Sequence, residues 1–101
     1  MEIQAKNIDR NLFLELHGEI DHHGAKNALH EMERLLDANL PKKLVLDLSG
    51  VTFMDSSGIA LILRTQQRMQ LMDGVLLVCN VTQQARRVLD AAGISRLVTI
   101  K

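Results

Sequence analysis

The stretch LVLDLSGVTFMDSSGIALIL, residues 44–63, runs from a strand through a loop into the start of a helix. Leu44–Leu48 is nearly continuous in apolar and β-branched side chains, the pattern of a strand covered on both faces. From about Ser57 to Met72 the period changes, and Ile59, Ile62, Leu63 and Met69 recur at helical spacing. Between the two lies Asp55-Ser56-Ser57-Gly58, with three cap-forming side chains where a helix start needs one. Ala60 and Leu61 extend the apolar surface around the first turns, where a helix resting on a sheet shows polar groups. Either that end is covered on two sides or it offers apolar surface to a partner. Arg64, Gln67 and Arg68 then restore a solvated face.

Working outward, Glu2–Ala5 and Leu12–His17 read as strands, joined as a hairpin through the polar link Lys6–Asn11. In the second of them, Leu12, Leu14 and Leu16 alternate with Phe13, Glu15 and His17, the period of a strand with unlike faces. Val75–Cys79 repeats the buried character of Leu44–Leu48, and Leu97–Ile100 is a last short strand. A first helix carries the stripe Ala25, Ala28, Leu29, Met32, Leu35 and Leu36 and is ended by Asn39 and Pro41. A third turns Ala85, Val88, Leu89 and Ala92 inward, with Thr82 as its cap and Gly93 as a left-handed stop. The order β-β-α-β-α-β-α-β specifies an α/β fold: a mixed, mostly parallel sheet with an N-terminal hairpin, in one domain over residues 1–101. In such sheets functional loops gather beyond the carboxyl ends of the strands. Two stand out, GEIDHHG after the second strand and FMDSSG after the third.

Composition narrows the function classes. Twelve Lys and Arg balance twelve Asp and Glu, so no electrostatic footprint for nucleic acid or an anionic membrane is present. Two Phe and no Trp or Tyr leave no platform on which bases or sugars stack. No stretch approaches the length of a membrane span, and the N-terminus lacks the basic-then-apolar pattern of a leader. The single cysteine, Cys79, forms no internal disulfide and falls where burial is expected. These features describe a cytoplasmic protein.

Catalytic chemistry fares poorly. Met54 stands where the first glycine of the G-x-S-x-G nucleophile elbow belongs, and the triad order of that fold requires a histidine after the serine. His17, His22, His23 and His30 all precede it. There is no Walker-type phosphate loop and no dinucleotide fingerprint. His22 and His23 are adjacent, so their side chains point apart, and no spaced set of Cys, His or carboxylates completes a metal site. They read as a polar turn capped by Asp21, with no metal or cofactor. Ser56 remains as a substrate. At the first turn of a helix, a phosphate on its hydroxyl gains N–H donors and the positive end of the macrodipole. It also brings nearly two negative charges beside Asp55 and, where the loops converge, Asp21, which repels a docked partner. On chemistry alone, D-S-S-G serves equally well as a plain cap.

GEIDHHGAKNAL (18–29), LVLDLSGVTFMDSSGIALIL (44–63) and LLVCNVTQQARRVLDAAGI (76–94) together resemble the STAS-domain anti-sigma-factor antagonists. The likeness spans residues 1–100, and D-H-H draws it toward the branch that controls a forespore sigma factor in sporulation. The resemblance implies a partner switch. The unphosphorylated antagonist binds an anti-sigma factor that is also a serine kinase, and the sigma factor is freed. The kinase, which holds the ATP, phosphorylates the first serine of the motif, here Ser56, and the antagonist lets go. A metal-dependent serine phosphatase restores the free form. Asp21 takes the place of the family's partner-facing aspartate, and His22 and His23 complete that segment. Asp55, Ser56, Ser57 and Gly58, with Ala60 and Leu61 beyond them, make up the rest of the expected partner surface.

Two departures stand out. The sequence stops at Lys101, just after the last strand, where these proteins continue into a further helix; either it is a shortened form or one face of the sheet is less covered, which puts stability and self-association in question. Gly24 sits where a better helix former belongs, and the sequence offers no reason for it. The competing reading is a STAS-type module that binds a nucleotide or lipid within a larger signalling assembly, with Ser56 as a cap.

Overall fold

In the computed structural model, which describes all residues from Met1 to Lys101, β1 (Glu2–Ile8) and β2 (Asn11–Ile20) pair antiparallel from Glu2 opposite His17 to Ile8 opposite Asn11. Their link is only Asp9 and Arg10, at φ 51° and 65°, the positive-φ pair whose twist suits a two-residue hairpin. The link is shorter than the polar stretch Lys6–Asn11 because backbone pairing, not side-chain burial, carries the strands through these exposed residues.

β3 (Lys43–Met54), β4 (Val75–Cys79) and β5 (Thr99–Ile100) follow, each parallel to its predecessor, so that the sheet order is β1-β2-β3-β4-β5. Between them lie α1 (His22–Asn39), α2 (Ser56–Leu71) and α3 (Gln83–Ala91), with a 3₁₀ turn at Ile94–Arg96. The α/β class and the mixed, mostly parallel sheet are those read from the sequence. Leu97, expected in the last strand, is 60% exposed after the 3₁₀ turn, and only Thr99 and Ile100 pair.

One core holds the molecule together. Leu12, Leu14 and Leu16 of β2, Leu44, Leu46 and Leu48 of β3, and Leu76 and Val78 of β4 form a single cluster. Against it pack Ala28, Met32 and Leu36 of α1, Leu61, Ile62 and Met69 of α2, and Ala85 and Leu89 of α3. The helices therefore share one face of the sheet. The opposite face is open, with Phe13 39% and Val75 61% exposed and Cys79 half-buried. This corrects the expectation that β3 and β4 are covered on both sides and that Cys79 is core. The alternation that signals an outer face is present in Lys43, Val45 and Asp47, but the leucines between them mask it.

The helix ends follow local chemistry. Leu40, at φ 44°, closes α1 with its N–H on the Leu36 carbonyl at 2.8 Å, and Pro41 prevents continuation. Gly93 takes the expected left-handed conformation, φ 68°. Thr82 occupies the N-cap of α3, yet its buried hydroxyl finds no hydrogen-bond partner, and Ala92 is exposed rather than inward. Arg68, expected in water, instead ties α2 to α1 through Glu33 at 3.0 Å and Asp37 at 2.5 Å.

Candidate functional site

β3 does not stop at Leu48. It continues through Ser49-Gly50 to Met54, held beside β2 by two register shifts, at Glu15/His17 and at Gly18/Glu19. The consequence is positional: Ile20 and Met54 pair, and the next residues, Asp21 and Asp55, are the N-caps of α1 and α2. The Asp21 carboxylate accepts the Gly24 N–H at 2.7 Å, and the Asp55 carboxylate accepts that of Ser57 at 2.8 Å. The Asp55 N–H donates to the Ile20 carbonyl at 3.2 Å, fastening one loop to the other. The two conspicuous loops thus meet at one edge of the molecule.

Ser56 is the first residue of α2, one position earlier than the sequence spacing placed the helix start, and it is exposed. Asp55 performs the capping, so the Ser56 hydroxyl is spare. Ser57 is half-buried and contributes its N–H, not its hydroxyl, to the cap. Gly58 is buried against Met54; a Cβ there would stand 2.5 Å from the Met54 Cγ. Gly24 has the same kind of reason. Its missing Cβ would lie 2.1 Å from the Glu19 carbonyl oxygen, so α1 begins in direct contact with the end of β2.

The apolar patch is smaller than the sequence suggested. Leu61 is 3% exposed and belongs to the core cluster, so it is not a surface side chain; of the stripe Ile59, Ile62, Leu63 and Met69, Ile62 and Met69 are buried while Ile59 and Leu63 are only half-buried. Ala60 and Arg64 are exposed. They border a shallow groove of about 250 Å³ between α1 and α2, with His22, Lys26, Leu29 and Ser57 along its sides. Beside the two capping carboxylates, the surface therefore turns basic at His22, Lys26 and Arg64. His22 and His23 both face solvent in the first turn of α1, and no group of three or more His, Cys, Asp or Glu is arranged to hold a metal.

One positioning residue escaped the sequence reading. Gln84, in the first turn of α3, donates its amide to the Met54 carbonyl at 2.8 Å and accepts the Met54 N–H at 2.8 Å. β4 ends at Cys79 opposite Asp47, so the last residues of β3 have no neighbouring strand on that side. Gln84 takes the strand's place just before Asp55. A long amide soon after a helix cap is the only trace of this role in the sequence.

No helix is long and apolar enough to cross a membrane. The profile of the STAS domain matches residues 2–101. The anti-sigma F factor antagonist of Paenibacillus polymyxa is 29% identical over 100 residues, 99% of this chain and 86% of the relative. The solved structure of the anti-sigma factor antagonist SpoIIAA in its unphosphorylated form superposes with a TM-score of 0.83 at 21% identity, covering 99% of this chain and 88% of that one. An anti-sigma factor antagonist from Mycobacterium paratuberculosis gives 0.86 at 23% identity, over 98% and 83% of the respective chains. On its sequence match from end to end and its shared fold, this chain belongs to the STAS domain family.

Proposed function

We propose that this protein is a non-enzymatic, cytoplasmic anti-sigma-factor antagonist of the sporulation type, and that Ser56 is its switch. The observation that carries the reading is the division of labour at the start of α2. Asp55 caps the helix, which leaves Ser56 exposed and unneeded by the fold, beside Asp21 on a second loop. Relatives named as antagonists of an anti-sigma factor support the choice of partner. In the unphosphorylated state the surface formed by Asp21, His22, His23, Asp55, Ser56 and Ala60 docks an anti-sigma factor with serine kinase activity, and a sigma factor is freed to act in transcription.

The switch is a phosphoryl transfer for which this chain supplies only the acceptor. The Ser56 Oγ attacks the γ-phosphorus of ATP held by the partner, ADP leaves, and the hydroxyl proton passes to a base on the kinase. The product places nearly two negative charges next to two carboxylates, and a partner docked there is expelled. A metal-dependent serine phosphatase hydrolyses the ester and restores the docking form.

The test is incubation with a kinase-type anti-sigma factor and ATP, followed by peptide mass spectrometry and a binding titration. One phosphate on Ser56, with loss of affinity, is the expected result. Ser56→Ala should bind and never be released by ATP, and Ser56→Asp should bind more weakly. Phosphate on Ser57, or full phosphorylation with unchanged affinity, overturns the proposal.

A further inference from the structure

On the open face of the sheet, strand pairing lays the side chains out in rows. Ile8, Asn11, Lys43 and Val75 stand side by side; next come Lys6, Phe13, Val45 and Leu77, and then Gln4, Glu15, Asp47 and Cys79. The middle row is apolar across β2, β3 and β4, with a cation on β3 at one side and two carboxylates at the other. Val45 is buried between Phe13 and Leu77 yet belongs to no part of the core under the helices. A groove of about 500 Å³ follows β1 and β2 along Lys6, Ile8, Phe13 and Glu15. Asp47 is held in place by the Ser49 N–H at 2.9 Å and the Asn80 amide at 3.0 Å.

We infer that this face binds a second copy of the chain, sheet on sheet, about a two-fold axis running across the strands over the row of Phe13, Val45 and Leu77. That operation sets each of the three over its own copy and, at the exposed edge strand in the same row, Lys6 over Lys6. It also carries Lys43 over the second copy's Asp47, twice, and Asn11 over the second copy's Glu15. An axis running along β3 sets Lys43 on Lys43 and Asp47 on Asp47 in the middle of the face, whereas the first arrangement has two opposite-charge contacts there against one like pair at the exposed edge, so the charge pattern selects the first. Stacked sheets of this kind align within about 30° at a separation of about 10 Å.

Size sets the strength. Pairing runs over seven, nine, five and two residues across the four gaps between strands, which at about 4.8 Å per gap and about 3.3 Å per residue gives a footprint of roughly 350 Å² per copy. The total of roughly 700 Å² lies below the range of stable specific interfaces, so the dimer is weak and concentration-dependent. Asp21 and Ser56 lie at the strand ends on the helix side, and the pairing leaves them free. The inference does not rest on the proposed function.

Sedimentation equilibrium over a concentration series, at low and high salt, tests it. The chain should show a monomer–dimer equilibrium that weakens at least tenfold at about 1 M salt. Lys43→Glu puts like charges in contact at two places and Phe13→Glu puts a charge on the axis; each should weaken the dimer at least tenfold. Lys43 and Asp47 are four residues apart on one strand and do not touch within a copy, so rescue by Lys43→Glu/Asp47→Lys reports a contact between copies. Thermal melts verify that each variant is folded, and Phe13→Glu carries the test alone where the Asp47 change disturbs the fold. A monomer at every concentration overturns the inference. So does a dimer indifferent to Lys43→Glu and Phe13→Glu, or a charge swap, with fold intact, that stays as weak as the single change.

Discussion

Gln84→Ala is the most informative single change, because its two hydrogen bonds hold the strand end from which the candidate site projects. Both bonds are 2.8 Å long and both go to the backbone of Met54, whose side chain is buried. A net hydrogen bond contributes about 1 kcal/mol, and a backbone group left without a partner adds to the loss where water cannot reach it. The site is only partly buried, so water repairs some of the damage, and the total cost comes to about 2–3 kcal/mol. In a domain of this size 1 kcal/mol moves the melting temperature by about 4–8 °C, which puts the drop between about 8 and 24 °C. Thermal melts followed by circular dichroism measure it, with Gln83→Ala, an exposed neighbour, as a control expected within about 0.5 kcal/mol. Amide exchange should also rise at Asp55, Ser56 and Ser57 more than at Leu44 or Leu46, since the strand end frays before its centre. A Gln84→Ala protein as stable as the Gln83→Ala control refutes the claim that this side chain substitutes for a missing strand.

The other predictions probe the loops, the groove and the acid limb. Gly24→Ala should destabilise by at least about 1–3 kcal/mol in chemical denaturation despite alanine's helix propensity, since the added Cβ meets a backbone oxygen at 2.1 Å. Leu61→Asp should abolish folding at moderate temperature, seen as loss of the cooperative melt, because it places a carboxylate in the core; Ala60→Asp, one residue away and exposed, should melt normally and weaken only partner binding. Asp47 titrates in a compromise. Burial opposes its ionisation, but donors from Ser49 and Asn80 outweigh that and hold its carboxyl below the usual aspartate range. A carboxyl lowered in the folded state contributes stability above about pH 4 that is lost as pH falls through its folded value. The cost of Asn80→Ala should therefore be largest near neutral pH and shrink toward the acid end in a pH series of denaturation curves; a cost that does not vary with pH contradicts the assignment.

Much of this fold is legible in the sequence because periods of two and of three to four residues separate cleanly. Leu12, Leu14 and Leu16 against Phe13 and Glu15, and Ala28, Met32 and Leu36 along α1, each present one buried face. Asp21 is legible as a cap for a different reason, a carboxylate just ahead of the first helical residue. What stayed hidden depends on neighbours rather than on the chain itself. Ser49-Gly50 has the composition of a turn, yet β2 alongside supplies pairing partners that draw β3 on to Met54. Gly24 and Gly58 are small because Glu19 and Met54 lie against them, and no local pattern records that. Leu61 misled for a related reason. Helical spacing fixes relative angle and not absolute rotation: Ile62 and Met69 of the expected stripe are buried, but its flank is Leu61 and Thr65 rather than Ile59 and Leu63.

The surplus of polar residues in Asp55-Ser56-Ser57 becomes intelligible once the cap is assigned. If a serine were the cap, modifying it would remove a hydrogen bond from the helix start, and the switch would act partly by loosening the fold. With Asp55 as the cap, a phosphate on Ser56 finds the nearest N–H, that of Ser57, already taken by a carboxylate. It gains from the helix dipole, about 0.3–1 kcal/mol for an exposed charge, and loses by repulsion from Asp55 at similar range. Within the chain these two effects nearly cancel. A docked partner changes the balance, because it excludes the water and salt that screen the repulsion. Under the proposed switch, the same charge that costs the free protein little then acts with its full weight at the interface. The expected signature is a pair of numbers: phosphorylated and unphosphorylated chains that melt within about 5 °C of each other, yet differ in partner affinity by at least a hundredfold. A phosphorylated chain that melts far lower would show that the modification works through its own helix, and that Asp55 does not insulate the fold from its switch.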